Sequence, residues 1–179
     1  MKPETVSHPD DEPVEVVDAA GRPMAVVSAG EAHRQFLPHK AVLALFFDRE
    51  ARLILEKRDA LAQAYPGRWD LPGRAHVWPG EAFFDVAHRL GETLFPGRCE
   101  ELLSSLSLPA SRETSFEALC VFRCRLAATS LVALESAPAE KREFLAVNAG
   151  EMAALAADFR ELFAPGVIDA LHKGWLFGE

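Results

Sequence analysis

The chain has 179 residues, 49% of them hydrophobic, and a formal net charge of −8. No apolar run approaches the roughly twenty residues that cross a bilayer, and no charged-then-apolar leader opens the sequence, so one soluble domain is expected. The acidic balance, with no basic run longer than Lys141-Arg142, argues against nucleic acid or a membrane surface as partner and leaves room only for a local basic pocket for a small phosphorylated molecule.

Cys99, Cys120 and Cys124 are odd in number and form no Cys-x-x-Cys pair, so neither a disulfide framework nor a zinc knuckle is expected, and a reducing cytoplasm fits best. Cys120 and Cys124 fall on one side of a strand, where they read as small buried side chains.

In chain order, residues 1–13 combine proline and acid and read as a mobile tail, followed by one domain over 14–179 with its core at about 37–165. Val14 to Asp18 and Met24 to Ser28 flank Ala-Ala-Gly-Arg-Pro and predict a hairpin. Gly30 to Phe36 follows as a short turn or helix. Lys40 to Phe47 and Arg52 to Lys57 are β-compatible runs around a turn, and Trp69 to Val77 predicts a strand that ends at Pro79-Gly80. Glu81 to Phe95 has helical apolar spacing and is stopped by Pro96-Gly97. Beyond Ser111, strands are predicted at Phe116 to Leu126, Leu131 to Leu134 and Glu143 to Val147, then helices at Met152 to Phe163 and Val167 to Phe177. Strands mixed with terminal helices predict an α/β fold rather than a barrel.

From Trp69 to Gly97 the chain reads WDLPGRAHVWPGEAFFDVAHRLGETLFPG. This resembles the box of the Nudix superfamily: Gly, five residues, Glu, seven residues, Arg-Glu, an aliphatic, any residue, Glu-Glu. With the frame starting at Ala75, Glu81 takes the first glutamate and Arg89 the arginine, while Leu90, Thr93 and Leu94 stand at the three glutamate positions that follow. Those acids would share one helix face and present oxygens to one hard cation such as Mg²⁺ or Mn²⁺, which leucine cannot do. Hydrolysis by the ordinary box route is therefore expected to be weak or absent. Glu81, Asp85, His88 and Glu92 form a second stripe on the helix, read as a solvated face. Arg89 is expected to pair with Glu92 or Asp85, and Glu81 to accept backbone amides at the helix start.

Upstream, Pro-His-Lys-Ala before a strand, Leu-Ile-Leu-Glu-Lys-Arg, Pro-Gly-Arg-Trp-Asp and Ala-His-Val together resemble the isopentenyl-diphosphate isomerase-like branch of that superfamily. The resemblance implies a Nudix-type α/β/α sandwich with a mixed sheet and an N-terminal β-hairpin. It also implies a divalent metal held by histidines and glutamate, with His33, His39, His76 and Glu117 at or near the matching positions; imidazole with carboxylate suits Zn²⁺, Mn²⁺ or Fe²⁺. Arg58 matches a basic position that faces the diphosphate, and Arg74 is a second candidate anion contact. The reactive cysteine of the isomerases falls at Arg74 and their second glutamate at Ser115, so isomerase chemistry is not expected.

Three functions follow as expectations: a hydrolase of a nucleoside-diphosphate-linked or other diphosphate substrate, with Glu81 and Arg89 as its catalytic residues; a non-catalytic binding module with a dry cleft at Leu90 and Leu94; and a homodimer or other interaction surface at Trp175-Leu176-Phe177. Trp69, Trp78 and Trp175 read as core or rim packing.

Overall fold

The computed structural model describes residues 9–127 and 142–177, so the strand expected at Leu131 to Leu134 lies outside the described residues. The chain divides into two compact units, one of residues 1–43, 74–90 and 104–122, the other of residues 44–73, 91–103 and 123–179.

In the first unit, Pro9–Asp11 forms a 3₁₀ turn and strand β1 (Pro13–Val17) begins within the segment read as a tail. β1 pairs antiparallel with β2 (Pro23–Ser28), Val14 opposite Val27 and Val16 opposite Ala25, in the expected hairpin. Asp18 closes the turn by accepting the amides of Ala20 and Arg22, each at 2.9 Å, and Gly21 supplies the positive φ of 76° that an L side chain resists. Helix α1 (Ala29–Arg34) starts at Ser28, whose hydroxyl accepts the Glu31 amide at 3.2 Å. The chain then enters β3 (His39–Phe47), whose His39 stands opposite Val16 of β1.

Strand β6 (Gly73–His76) pairs with β3, as does β8 (Glu117–Leu126), which also pairs with β7 (Cys99–Leu108). Helix α2 (Phe83–Leu94) buries Val86, Ala87 and Leu90 and exposes Asp85, His88 and Glu92, the division its spacing predicts.

In the second unit, Phe47 of β3 stands opposite Leu53 of β4 (Leu53–Lys57). Asp48 shapes this hairpin as Asp18 shapes the first, accepting the amides of Glu50 at 3.0 Å and Arg52 at 2.9 Å. β4 also pairs with β5 (Trp69–Asp70) and with β9 (Phe144–Val147), from Leu53 opposite Val147 to Glu56 opposite Phe144. Leu53, Ile54 and Leu55 are wholly buried, which explains an unbroken apolar run where a one-sided strand would alternate. Helix α3 (Ala149–Asp158) carries a reciprocal cap between Asn148 and Glu151, both bonds at 2.9 Å, and α4 (Pro165–His172) begins with the proline whose missing N–H costs nothing there.

Several expectations need correction. Trp69 to Val77 is two short strands, β5 and β6, because Leu71-Pro72 interrupts the pairing. Strand β7 was not expected; most of its residues are exposed or half-exposed, so its sequence lacks an apolar signal. The first C-terminal helix ends at Asp158, with a separate 3₁₀ turn at Arg160–Leu162. Cys99 and Cys124 form a disulfide, which spacing in sequence could not reveal because adjacent strands bring their Cα atoms to 6.2 Å across 25 residues of chain. Leu176 is wholly buried and Trp175 and Phe177 are half-buried, so these residues pack inward instead of forming an exposed patch. No helix among the described residues is long and apolar enough to cross a membrane.

Gly73 marks the tightest backbone approach: a Cβ there would meet the Ala44 carbonyl oxygen at 2.2 Å and the Phe46 ring at 2.6 Å. Gly73→Ala is expected to lower the unfolding free energy by about 1–3 kcal/mol through overpacking, read from a urea denaturation curve; an unchanged midpoint would contradict the close approach.

Candidate metal centre

Four elements of the first unit bring His33, His39, His76 and Glu117 together. His33 lies in the last turn of α1, His39 begins β3, His76 ends β6 and Glu117 begins β8. Backbone register sets the last three: the His39 amide donates to the Phe116 carbonyl at 3.1 Å, and the Val77 amide to the Lys40 carbonyl at 3.0 Å. Phe36 lies between the first two histidines with φ 54°, and Ser115 and Phe116, which precede Glu117, have φ 56° and 62°. Non-glycine residues in this region cost of order 1–3 kcal/mol each and gather where a site fixes the backbone.

The four side chains offer ligand atoms that all lie within 4.8 Å of one another. His33 Nε2 stands 3.1 Å from His39 Nε2 and 3.2 Å from His76 Nε2. Glu117 Oε1 lies 3.9 Å from the Nε2 atoms of His33 and His39 and 3.8 Å from that of His76. His39 and Glu117 are buried, His76 is mostly so, and His33 is exposed on one side. Among the described residues no other group of three or more His, Cys, Asp or Glu side chains converges in this way.

The proton positions follow from the outer partners. His39 Nδ1 lies 2.8 Å from the Leu37 carbonyl oxygen, which can only accept, so Nδ1 carries the proton and the neutral ring turns its Nε2 lone pair inward. His76 Nδ1 lies 3.2 Å from a Glu12 carboxylate oxygen, so Nδ1 carries a proton there too, and in the neutral ring Nε2 presents its lone pair inward. Two lone pairs and a carboxylate oxygen thus face His33 Nε2, which has at most one proton to give. Burial holds His33 below the usual imidazole range, and the charge of nearby His76 acts in the same direction. Burial likewise lowers His39, against the opposing pull of its Leu37 bond and of Glu117. These two rings are therefore neutral at pH 7, the form that can ligate.

The donor types fit a divalent cation, and the two nearest nitrogen pairs also fit in spacing, while the remaining atoms, up to 4.8 Å apart, would have to draw in around it. Two ligand atoms at about 2.0–2.1 Å from one cation stand about 3.0–3.4 Å apart at ordinary ligand angles, and the nearest nitrogen pairs already do. Glu117 Oε2 is taken by the Arg74 guanidinium, which leaves Oε1 directed at the imidazoles.

The other expected site residues fall elsewhere. Arg89 pairs with Glu81 at 3.0 Å and stacks 4.1 Å over the Trp78 ring, rather than pairing with Glu92 or Asp85. Its stem leaves the helix on the side facing Trp78, whereas Asp85 and Glu92 point to solvent. Glu81 also accepts the Trp78 amide at 3.1 Å. Arg58, in the second unit, donates to Asp70 at 2.7 Å and to the Ala64 carbonyl at 2.8 Å, and lines a polar cavity of about 280 Å³ with Lys57, Asp59, Ala62 and Asp70. At the box positions Leu90 is buried, Leu94 half-buried and Thr93 exposed. Two participants escaped the sequence reading: Glu12, which lies in acid-rich sequence with no periodic signal, and the bond of Arg74 to Glu117 across 43 residues.

No family model matches the chain. Isopentenyl-diphosphate Delta-isomerase of Nocardia farcinica is 38% identical over 86 residues, covering 46% of this chain and 48% of that protein. The proteins of the same name from Brevibacterium linens and Burkholderia multivorans are each 34% identical, over 82 residues (45% of this chain, 45% of theirs) and 80 residues (44% and 46%). The chain spans about half the length of these curated relatives. Among solved structures, DR0079 of Deinococcus radiodurans matches with a TM-score of 0.62 at 14% identity, over 90% of this chain and 98% of that one, a likeness of fold. A Nudix hydrolase of M. smegmatis, RenU, matches with a TM-score of 0.48 at 15% identity, over 89% and 91%.

The Glu81 carboxylate braces the Trp78 turn and Arg89 at once. Glu81→Ala is expected to cost about 1–2 kcal/mol of stability, a part-exposed charged hydrogen-bond pair being worth less than a buried one. A thermal melt reads the loss, and no change would mean that the brace carries no weight.

Proposed function

We propose that this chain is a member of the Nudix superfamily in its isopentenyl-diphosphate isomerase-like branch, a reading supported by the partial matches to those isomerases, and that it holds a divalent cation on His33, His39, His76 and Glu117 and hydrolyses a diphosphate-bearing small molecule there, not on the helix box. The observation that carries this reading is the convergence of three imidazole Nε2 atoms and one carboxylate oxygen, two of the rings having tautomers fixed with lone pairs inward. A cation bound there would supply Lewis-acid polarisation of a phosphoryl oxygen and a water of lowered pKa.

The chain's own residues bind and orient. Arg74 is about half exposed, and N–H groups not engaged by Glu117 can meet a phosphate oxygen; Arg58 is a second, separate anion contact. A nucleoside-diphosphate-linked compound is the substrate class that the family resemblance favours. The isomerase reaction lacks its reactive groups, because the guanidinium of Arg74 does not release a proton in proteins and Ser115 offers no carboxylate. A second reading, binding without turnover, has one observation in its favour: Oε2 of Glu117 is held by Arg74 and Oε1 faces the proposed cation position, so a loaded centre would leave neither oxygen of this carboxylate open to act on substrate.

Equilibrium dialysis against Zn²⁺ and Mn²⁺, then phosphate release from a panel of diphosphate compounds, tests the proposal. His76→Ala is expected to weaken cation binding by about 100-fold, at the upper end of what losing even an outer-shell partner costs, and to abolish turnover. Glu92→Ala, on the solvated stripe, is expected to change neither. Failure of the wild-type protein to take up either cation overturns the proposal; uptake without turnover of any compound selects the binding module.

A further inference from the structure

We infer that Arg74 is a positioning residue that holds Glu117 in a one-oxygen mode and so biases the centre toward Zn²⁺ and against cations that want several oxygens. The inference rests on the cation reading above and concerns what this chain has built at a position where the isomerases carry a thiol.

Glu117 is 2% exposed, and its two oxygens face different partners. Oε1 looks toward the three imidazole nitrogens at 3.8–3.9 Å, while Oε2 accepts from Arg74 Nη2. A carboxylate with one oxygen committed to a guanidinium cannot swing to offer both to a metal without breaking a charge-assisted bond. The protein's donor set is then three nitrogens and one oxygen, which suits the small tetrahedral site of Zn²⁺. Mn²⁺ and Mg²⁺ favour more oxygen ligands. Arg74 also neutralises the one carboxylate in the ligand group, and this weighs most against hard cations, whose binding depends on oxygen charge. The Arg74 side chain is 49% exposed, so its hold on Glu117 is set by the bond itself and not by burial around the guanidinium.

Cobalt reports coordination number directly, since four- and five-coordinate Co²⁺ absorbs visible light far more strongly than six-coordinate Co²⁺. The Co²⁺-loaded wild-type protein is expected to show strong visible bands, and Arg74→Gln to lose several-fold of that absorbance as Oε2 becomes available. In competition dialysis the Zn²⁺ over Mn²⁺ preference should fall by about 10-fold in Arg74→Gln, the scale typical of an outer-shell partner. Arg74→Lys, which keeps the charge and one bond to Oε2, should restore part of both. Weak, six-coordinate bands in the wild type overturn the inference without any variant. So does an unchanged spectrum and preference in an Arg74→Gln protein whose circular dichroism is native. A wild-type protein that binds neither Zn²⁺ nor Co²⁺ overturns the cation reading itself, and the role of Arg74 with it.

Discussion

The site depends on one constraint: more acceptors than protons meet at a single point. Leu37 and Glu12 fix the outer nitrogens of His39 and His76 as donors, so when the rings are neutral their inner nitrogens are lone pairs aimed at His33 and close to a buried carboxylate oxygen. Uncompensated, such a cluster is unfavourable in a low-dielectric setting. A proton could satisfy part of it, but burial already lowers the proton affinity of His33 and His39. A divalent cation on the four groups would satisfy it at once.

The backbone is arranged around that constraint. β3 pairs with β1, β6 and β8, and His39, His76 and Glu117 sit at strand ends where register fixes them within a fraction of a residue. The αL residues Phe36, Ser115 and Phe116 lie close in sequence to His33, His39 and Glu117, and the Phe116 carbonyl accepts the His39 amide at 3.1 Å. Phe36 and Phe116 do face each other at 5.5 Å between ring centres, which offsets part of the strain on both. Helix α2, by contrast, carries Leu90 in the core and its acids toward solvent. Among the described residues the group that could hold a cation therefore sits on strand ends and one helix end, not on a helix face.

The sequence disclosed those parts that are governed by local periodicity or by motif. The hairpin at Ala19-Ala20-Gly21, the buried run Leu53-Ile54-Leu55 and the amphipathic α2 follow from turn chemistry and apolar spacing. The four ligand positions were legible through short motifs spread over 84 residues between His33 and Glu117, because family resemblance carries long-range information that composition does not. What stayed hidden depended on pairing across the fold. β7 lacks an apolar signal because it is half solvated, Cys99 meets Cys124 only when β7 and β8 align, and Glu12 looks like one more acid in a proline-rich stretch until β1 brings it to His76. Arg89 was assigned to neighbours on its own helix, a local rule that lost to the Trp78 face and Glu81.

Arg74 stands where the resemblance to the isomerases implies a thiol, and that difference bears on what the position can do. A thiol can pass a proton to carbon; a guanidinium keeps its protons and contributes only charge and geometry. The charge arithmetic around the site is then simple. With the imidazoles in the neutral form that ligates, the carboxylates of Glu117 and Glu12 and the cation of Arg74 leave a single negative charge in excess among these groups. A divalent cation would turn that excess into one positive charge, next to a half-exposed guanidinium. A centre of that sign would draw an anionic diphosphate toward it and repel a second cation, so the same residues that make the metal-free cluster unfavourable would make a loaded one a receptor for phosphate oxygens.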